Sequence, residues 1–156
     1  MLIEKIILCF NMKISLKNDW KGKMSFETKI GNHTIVMDAA PDSGGDDSGV
    51  RPKPLILAAL AGCTGMDVVS ILAKMKVTYS KLSIITDGEI NDEHPKKFND
   101  INVIFSFEGD NLPVDKIENA INLSKDKYCG VAATLKDSVR LTYQIMINGD
   151  IVKSLT

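Results

Sequence analysis

The chain has 156 residues, of which 44% are hydrophobic and 25% are charged, the size and composition of one globular domain with its own core. Its 19 basic and 20 acidic residues leave a formal net charge of -1. That balance excludes the clustered positive charge on which binding to nucleic acid or to an anionic membrane surface depends.

The N-terminus and the cysteine content indicate a cytoplasmic protein. Residues 1–11 are mostly apolar, but charged residues interrupt them and no cleavage pattern of a signal peptide follows. An alternating pattern starts at Met12, so we interpret residues 1–11 as an N-terminal extension and residues 12–156 as a single domain. Three cysteines are too few for a disulfide scaffold, which fits a reducing compartment. The longest apolar run, residues 55–61, is shorter than the roughly 20 residues that span a bilayer, so we expect no membrane segment.

The first half of the chain predicts a small sheet followed by a long helix. Strand-like alternation occurs over residues 13–16, 23–30 and 33–37. A loop rich in Gly, Pro, Asp and Ser follows over residues 39–54. From Pro54 to about Lys76 the residues are apolar nearly all round, a pattern typical of a buried central helix.

The second half predicts a long hairpin, two helices and a last strand. The hairpin strands are residues 81–90 and 99–107, and the last strand is residues 140–147. Between them Pro113 starts an amphipathic helix, and a shorter helix carries Cys129. This order of elements is an α+β arrangement. One subunit offers too little sheet to cover an apolar helix on every side, which favours a homodimer in which the helices of two chains pack together.

Two cysteines stand out by their surroundings. Cys63 lies within the apolar helix, where desolvation disfavours the thiolate. Cys129 follows Lys125 and Lys127 near the start of a short helix, where exposed amides and positive charge favour a thiolate. Because free cysteines are often simply small buried hydrophobes, the residues alone leave two interpretations, packing and redox chemistry.

One acidic residue accompanies the first cysteine. Asp67 lies one helical turn after Cys63 and on the same face of the predicted helix. A carboxylate at that distance raises the pKa of a thiol, so Asp67 is interpreted as a structural acceptor or an orienting group. The two histidines, His33 and His94, lack the spacing of metal ligands, and we therefore expect neither a metal site nor a resident cofactor.

The segments around the two cysteines resemble one family. Residues 54–72, above all AGCTGMDVVSIL at 61–72, are similar to a motif of the OsmC/Ohr family of hydroperoxide-reducing proteins, as are EHP at 93–95 and LSKDKYCGV at 123–131. The resemblance covers about residues 12–147. It implies an OsmC-like fold with antiparallel sheets around a long buried central helix, and an intertwined homodimer with two active sites at the subunit interface.

The resemblance also implies an activity. Cys63 matches the peroxidatic cysteine, which attacks a peroxide and becomes a sulfenic acid, and Cys129 matches the resolving cysteine, which condenses with that acid to a disulfide. The implied function is a thiol-dependent peroxidase that reduces organic hydroperoxides, an antioxidant and stress-response role. An external thiol reductant, a lipoylated protein or a dithiol, then reopens the disulfide.

One position departs from the pattern of the hydroperoxide reductases. They carry a glutamate nine or ten residues before the first cysteine, which orients an arginine towards the thiolate, whereas this chain has Pro54 and Lys53 there. The chain has only two arginines, Arg51 and Arg140, and Arg51, just before the helix, is the candidate activator. An alternative function is an OsmC-like redox or stress protein with weak or no peroxidase activity that binds a small apolar ligand. A third is a purely structural role for both thiols.

Overall fold

The computed structural model describes residues 13–155, which fall into two compact units, one ending at Pro52 and the next beginning at Lys53. The N-terminal extension that we expect at residues 1–11 lies outside the described residues. The interpretation of residues 12–156 as a single domain stays a prediction.

The first unit contains a three-stranded antiparallel sheet with strand order β1-β2-β3. Its strands are β1 (Asn18–Gly22), β2 (Ser25–Ile30) and β3 (His33–Met37). The second and third strands confirm the sequence prediction, and the turn between them begins at Gly31, whose φ of 59° suits glycine. The strand predicted at residues 13–16 is wrong. Pairing begins only at Asn18, whose partner in β2 is Thr28. Because β2 ends at Ile30, two residues after Thr28, the residues before Asn18 have little strand left to pair with.

A buried carboxylate organises the loop that follows this sheet. Asp38 accepts four hydrogen bonds, from the backbone of Ala39 (2.8 Å), Asp46 (3.0 Å) and Ser48 (3.0 Å), and from the Ser48 hydroxyl (2.8 Å). The bonds from Ser48, with those from Asp46 and Ala39, hold the pKa of Asp38 well below its usual range. A loop dense in glycine and aspartate is thereby held in one conformation.

Replacing Asp38 with asparagine is expected to lower the melting temperature at neutral pH, because the charge-assisted hydrogen bonds are lost and an amide NH₂ would face backbone donors. The folded-state pKa lies below the unfolded value of about 3.9. The stabilisation by the carboxylate is therefore present above about pH 4 and is lost as the pH falls towards the folded-state pKa.

Thermal unfolding of wild type and Asp38→Asn between about pH 7 and pH 3 checks this. The difference in melting temperature should shrink as the pH falls. Asp42→Asn, at an exposed position of the same loop, is the matched control and should change little. A difference that stays constant over the whole range contradicts the assignment.

The second unit has a four-stranded sheet with strand order β4-β5-β6-β7. Its strands are β4 (Lys81–Ile90), β5 (Phe98–Glu108), β6 (Arg140–Ile147) and β7 (Asp150–Leu155). The predicted hairpin of β4 and β5 is confirmed, and β7 is a strand that the sequence analysis missed. The expectation of antiparallel sheets needs one correction, since β5 and β6 are parallel. Parallel neighbours need a crossover connection, and here the chain between them is helical.

That crossover consists of three helical pieces in succession. They are α2 (Val114–Leu123), a π-helical turn (Ser124–Tyr128) and α3 (Gly130–Leu135). The predicted amphipathic helix is α2, which buries Ile117, Ala120 and Ile121. Cys129 lies between the π-helical turn and α3. The crossover therefore carries the second cysteine to the side of the sheet on which α2 packs.

The long helix α1 (Pro52–Lys74) begins with proline at its first position and ends with lysine in its last turn, both favourable placements. One of its faces is buried in a core shared with strand residues such as Phe105 and Phe107. The buried residues of α1 are Leu60, Thr64, Gly65, Val68 and Leu72.

The sequence analysis expected no membrane segment because the longest apolar run is short. That argument was wrong, since α1 is long and apolar enough to span a bilayer. The helix has 23 residues, and an 18-residue window reaches a mean hydropathy of 2.0, enough by length and composition alone to cross a bilayer. Packing of Leu60, Val68 and Leu72 into the same core as the strands is what a central helix of a globular fold shows.

The opposite face of α1 is apolar but uncovered in the single chain. Met66 is 71% exposed and Val69 is 45% exposed, and Ile56 is also exposed. The prediction of a helix that is apolar nearly all round is correct, whereas only one of its faces is buried in this structure.

Candidate active site

The crossover brings the two cysteines together. The Sγ atoms of Cys63 and Cys129 and a carboxylate oxygen of Asp67 all lie within 4.8 Å of one another. Cys63 and Asp67 come from successive turns of α1, and Cys129 comes from the far end of the π-helical turn. Both cysteines are free thiols.

The backbone around Cys129 holds its side chain inward. The peptide N–H of Cys129 donates to the carbonyl of Ser124 at 2.8 Å, the five-residue hydrogen bond of a π-helical turn. Its Sγ accepts from the backbone N–H of Ala132 at 3.3 Å, which caps α3. Cys129 is only 2% exposed, whereas Cys63 is half-buried. The first cysteine is therefore the more accessible of the two.

Ser124 connects the crossover to α1, and the sequence analysis gave it no role. Its side chain is 1% exposed, and its Oγ donates to Oδ2 of Asp67 at 2.9 Å. The interpretation of Asp67 as a structural acceptor is thereby confirmed. The only sequence signal for Ser124 is a polar residue at a position in phase with the apolar stripe of α2.

The electrostatics of Cys129 contradict the expectation of an accessible, thiolate-favouring position. Burial, together with the hydrogen bond and the charge of Cys63, raises the pKa of Cys129 to about 11, although the backbone amides of Ala132 and Val131 oppose the shift. The sequence argument failed because it placed the thiol at an exposed helix start. In the structure the same helix start is packed in the core.

A tyrosine that the sequence analysis did not identify lies near Cys129. Burial raises the pKa of Tyr143 to about 12, and the nearby Cys129 and Asp126 add to the shift. The Nζ atom of Lys125 lies 5.7 Å from the centre of the Tyr143 ring, within the range of a cation–π contact. The inner side of the site thus combines a buried phenol and a buried thiol.

The candidate activator Arg51 has its partners within the first unit. Its Nη1 donates to the carbonyls of Asp38 (2.9 Å) and Gly49 (3.0 Å), and its Nη2 pairs with Asp47 at 2.6 Å. The first turn of α1 contains Lys53 and no acidic residue. The role of Arg51 as an activator of Cys63 stays a prediction.

The sequence model of the OsmC-like proteins matches residues 45–144, a range that includes both cysteines and Asp67. The chain belongs to the OsmC-like family. The expected α+β OsmC-like fold with a long central helix is thereby confirmed.

Several relatives and solved structures support the same assignment. The chain is 35% identical to Protein YhfA of Escherichia coli K12 over 111 residues, 71% of this chain and 80% of that protein. A hypothetical protein from Aquifex aeolicus has a similar structure, with a TM-score of 0.77 and 25% identity over 88% of this chain and 98% of its own. An organic hydroperoxide resistance protein from Elizabethkingia anophelis shares the fold, with a TM-score of 0.66 and 12% identity over 88% and 99% of the two chains.

The burial of the two thiols and the raised pKa of Cys129 predict the order in which the thiols react with an alkylating agent. At neutral pH, Cys63 should be modified well before Cys129, because Cys129 is buried and remains protonated. Labelling of Cys129 should accelerate about tenfold per pH unit until the pH approaches about 11. Peptide mass spectrometry after short pulses of iodoacetamide measures both rates.

The variant Cys63→Ser is the control for the cause of the shift. It removes the neighbouring thiol that contributes to the raised pKa, so Cys129 should react at lower pH than in the wild type. Equal labelling of the two native cysteines near pH 7.5 contradicts the assignment.

Proposed function

We propose that the protein is a thiol-dependent peroxidase that reduces organic hydroperoxides through a sulfenic acid at Cys63 and a disulfide between Cys63 and Cys129. The observation that carries the proposal is the placement of the two sulfur atoms within 4.8 Å of each other, across the crossover and α1. Two sulfurs at this separation are neighbours, as a pair that forms a disulfide during turnover must be.

The different burial of the two thiols supports the proposed order of their reactions. Cys63 is the more accessible, so its thiolate attacks the distal oxygen of the peroxide. A sulfur–oxygen bond forms, the oxygen–oxygen bond breaks, and the alkoxide takes up the proton that the thiol released and leaves as the alcohol. The Cys129 thiol then loses its proton and attacks the Cys63 sulfur, and the hydroxyl leaves as water. An external thiol reductant, a dithiol or a lipoylated protein, supplies the two electrons that reopen the disulfide.

A cavity with both apolar and polar lining residues borders Asp67 and has room for an organic substrate. It has a volume of about 340 Å³ and shares Asp67 with the thiol cluster. Its other lining residues are Ser70, Ile71, Lys74, Met75, Leu123 and Tyr128. Aliphatic and aromatic walls favour the alkyl or aryl arm of a hydroperoxide over hydrogen peroxide, which has no apolar part to bury.

A specific observation supports the alternative of weak or absent peroxidase activity with binding of a small apolar ligand. The first turn of α1 has no acidic residue, and the guanidinium of Arg51 is occupied by Asp38, Gly49 and Asp47. A cysteine that no cation activates reacts slowly as a nucleophile, because only the thiolate form attacks. In that case the same cavity would hold a ligand rather than a substrate.

Turnover of cumene hydroperoxide with a dithiol reductant tests the proposal. The wild type should consume cumene hydroperoxide faster than hydrogen peroxide, and Cys63→Ser should abolish turnover. Cys129→Ser should still reduce one equivalent of peroxide and should then accumulate the sulfenic acid, which dimedone traps. Cys9→Ser, which alters a cysteine outside the described residues, is the matched control. A wild-type rate no higher than the uncatalysed rate rejects the peroxidase and favours the ligand-binding alternative.

The same assay separates the two arginines. If Arg51 activates Cys63, Arg51→Ala should slow the first reaction with peroxide. Arg140→Ala should leave that step unchanged, because Arg140 is exposed and pairs with Asp100 at the start of β6.

The uncovered face of α1 supports a homodimer. Its residues recur at steps of three and four along the helix, the spacing of a seam between two packed helices. They are Ala59, Gly62, Met66, Val69 and Ala73. Ala59 and Gly62, in the N-terminal half of the helix, are small enough to allow close approach of a second backbone. The exposed Met66 and Val69 supply apolar area. A second copy of the chain offers the same complementary face, as a two-fold interface requires.

Val69→Glu is expected to weaken dimerisation at least tenfold, because it places an unpaired charge in the centre of an apolar seam. Light scattering during gel filtration over a dilution series measures the mass. Lys136→Glu, which changes an exposed lysine elsewhere in the second unit, should leave the mass unchanged. A wild-type monomer at all concentrations excludes this seam.

A further inference from the structure

We propose that Cys63, Asp67 and Cys129 form a binding site for a thiophilic divalent cation, zinc in particular, in the reduced protein. The two Sγ atoms and one carboxylate oxygen lie within 4.8 Å of one another. Bonds of about 2.3 Å from zinc to sulfur and about 2.0–2.2 Å to oxygen separate tetrahedral ligand atoms by roughly 3.5–4 Å. The three atoms therefore need to approach by about 1 Å or less, which side-chain rotation supplies.

The spacing of two of the ligands suits a metal. Cys63 and Asp67 are four residues apart on α1, so both side chains leave the same face of the helix one turn apart. Metal sites on helices use this spacing for paired ligands. The third ligand, Cys129, comes from a separate element and closes the triangle from the opposite side.

The identity of the donors selects the ion. Two sulfurs and one oxygen suit the borderline-soft zinc ion, whereas magnesium and calcium take six or more oxygen ligands. Among the described residues that could reach this cluster as ligands, only these three meet the distance condition. The sequence analysis did not expect a metal, because the approach of Cys129 to Cys63 and Asp67 arises only in the folded chain.

A second observation shows that the ligands are held in place. Ser124 braces two of them, since its Oγ donates to Oδ2 of Asp67 at 2.9 Å and its carbonyl accepts from the backbone N–H of Cys129 at 2.8 Å. Ser124 is itself 1% exposed, so its hydroxyl has little competition from water. Hydrogen bonds of this kind orient metal ligands in known sites. A carboxylate has two oxygens with several lone pairs, so this hydrogen bond leaves Asp67 able to coordinate an ion.

The fourth coordination position has room for an outside ligand. Asp67 also lines the cavity of about 340 Å³ described above, so the cluster borders open space on that side. A water molecule there would complete a tetrahedron of three protein ligands and one exchangeable ligand, an arrangement that zinc accepts.

An ion at this position would change what the thiols can do. Each sulfur would donate a lone pair to the cation and become a weaker nucleophile, and the disulfide could not form while both sulfurs hold the ion. Bound zinc and the Cys63–Cys129 disulfide are therefore mutually exclusive states. Only this consequence rests on the proposed peroxidase function, because binding itself needs nothing but reduced thiols.

Titration of reduced, chelator-stripped, full-length protein with cobalt(II), followed by displacement with zinc(II), tests the site. One equivalent of cobalt should give a sulfur-to-cobalt charge-transfer band and the intense visible bands of tetrahedral coordination, and zinc should abolish both. Cys63→Ser and Cys129→Ser should lose the charge-transfer band or halve it. Asp67→Asn should weaken zinc binding at least tenfold, and Asp67→Glu should recover part of the affinity.

Three further variants complete the design. Ser124→Ala, which removes the brace but no ligand, should weaken zinc binding by about tenfold. Cys9→Ser and Asp137→Asn alter a cysteine outside the described residues and an exposed carboxylate, and they should bind zinc as the wild type does. Circular dichroism of each variant shows whether it is folded.

The outcomes separate the inference from the proposed function. Cobalt spectra of six-coordinate oxygen ligation, or undiminished sulfur bands in Cys63→Ser and Cys129→Ser, overturn the site. Equal zinc affinity of Asp67→Asn and wild type overturns it as a three-ligand site. Zinc binding in a protein whose metal-free form does not reduce peroxide supports the site and rejects the peroxidase. Peroxide turnover that zinc leaves unchanged supports the peroxidase and rejects the site.

Discussion

The arrangement of the thiols depends on the contact between Ser124 and Asp67. It joins the crossover to α1 inside the core, with a hydrogen bond of 2.9 Å at a serine that is almost inaccessible to water. Loss of one partner would leave a buried polar group unsatisfied, which costs about 1–3 kcal/mol. The same serine accepts the backbone hydrogen bond of Cys129. One residue therefore fixes the distance between two elements and the direction of the thiol that lies between them.

The site brings together three groups that become negative when they ionise, of which Cys129 is buried and Cys63 and Asp67 are partly buried. Two thiols and a carboxylate lie close together, and burial with the neighbouring thiol raises the pKa of Cys129. Any chemistry that needs the thiolates gains from positive charge at the same point. An arginine would favour attack on a peroxide, whereas a metal ion would engage the sulfurs and weaken them as nucleophiles. The two proposals are thus two ways of meeting the same electrostatic demand.

The sequence was informative wherever a pattern is local. The apolar run of α1, the hairpin of β4 and β5, and the motifs around Cys63 and Cys129 could all be predicted, and the structure has them. The parallel pairing of β5 with β6 depends on where the crossover packs, which no local pattern encodes. Ser124 looked like one more position of an amphipathic stripe, and its role follows only from its distance to Asp67. The burial of Cys129 is likewise a product of tertiary packing.

The π-helical turn of residues 124–128 sets the phase of everything that follows it. Each residue of an α-helix advances the chain by about 100° around the axis, and a π-helical turn takes up one residue more than an α-helical turn does. If the same residues were wound as regular α-helix, with no residue removed, Cys129 would leave the axis up to about 100° away from its present direction. The wide turn thus works as a built-in spacer. Its extra residue decides whether the thiol meets α1, because the same residues wound as regular α-helix would turn the Cys129 sulfur away from Cys63.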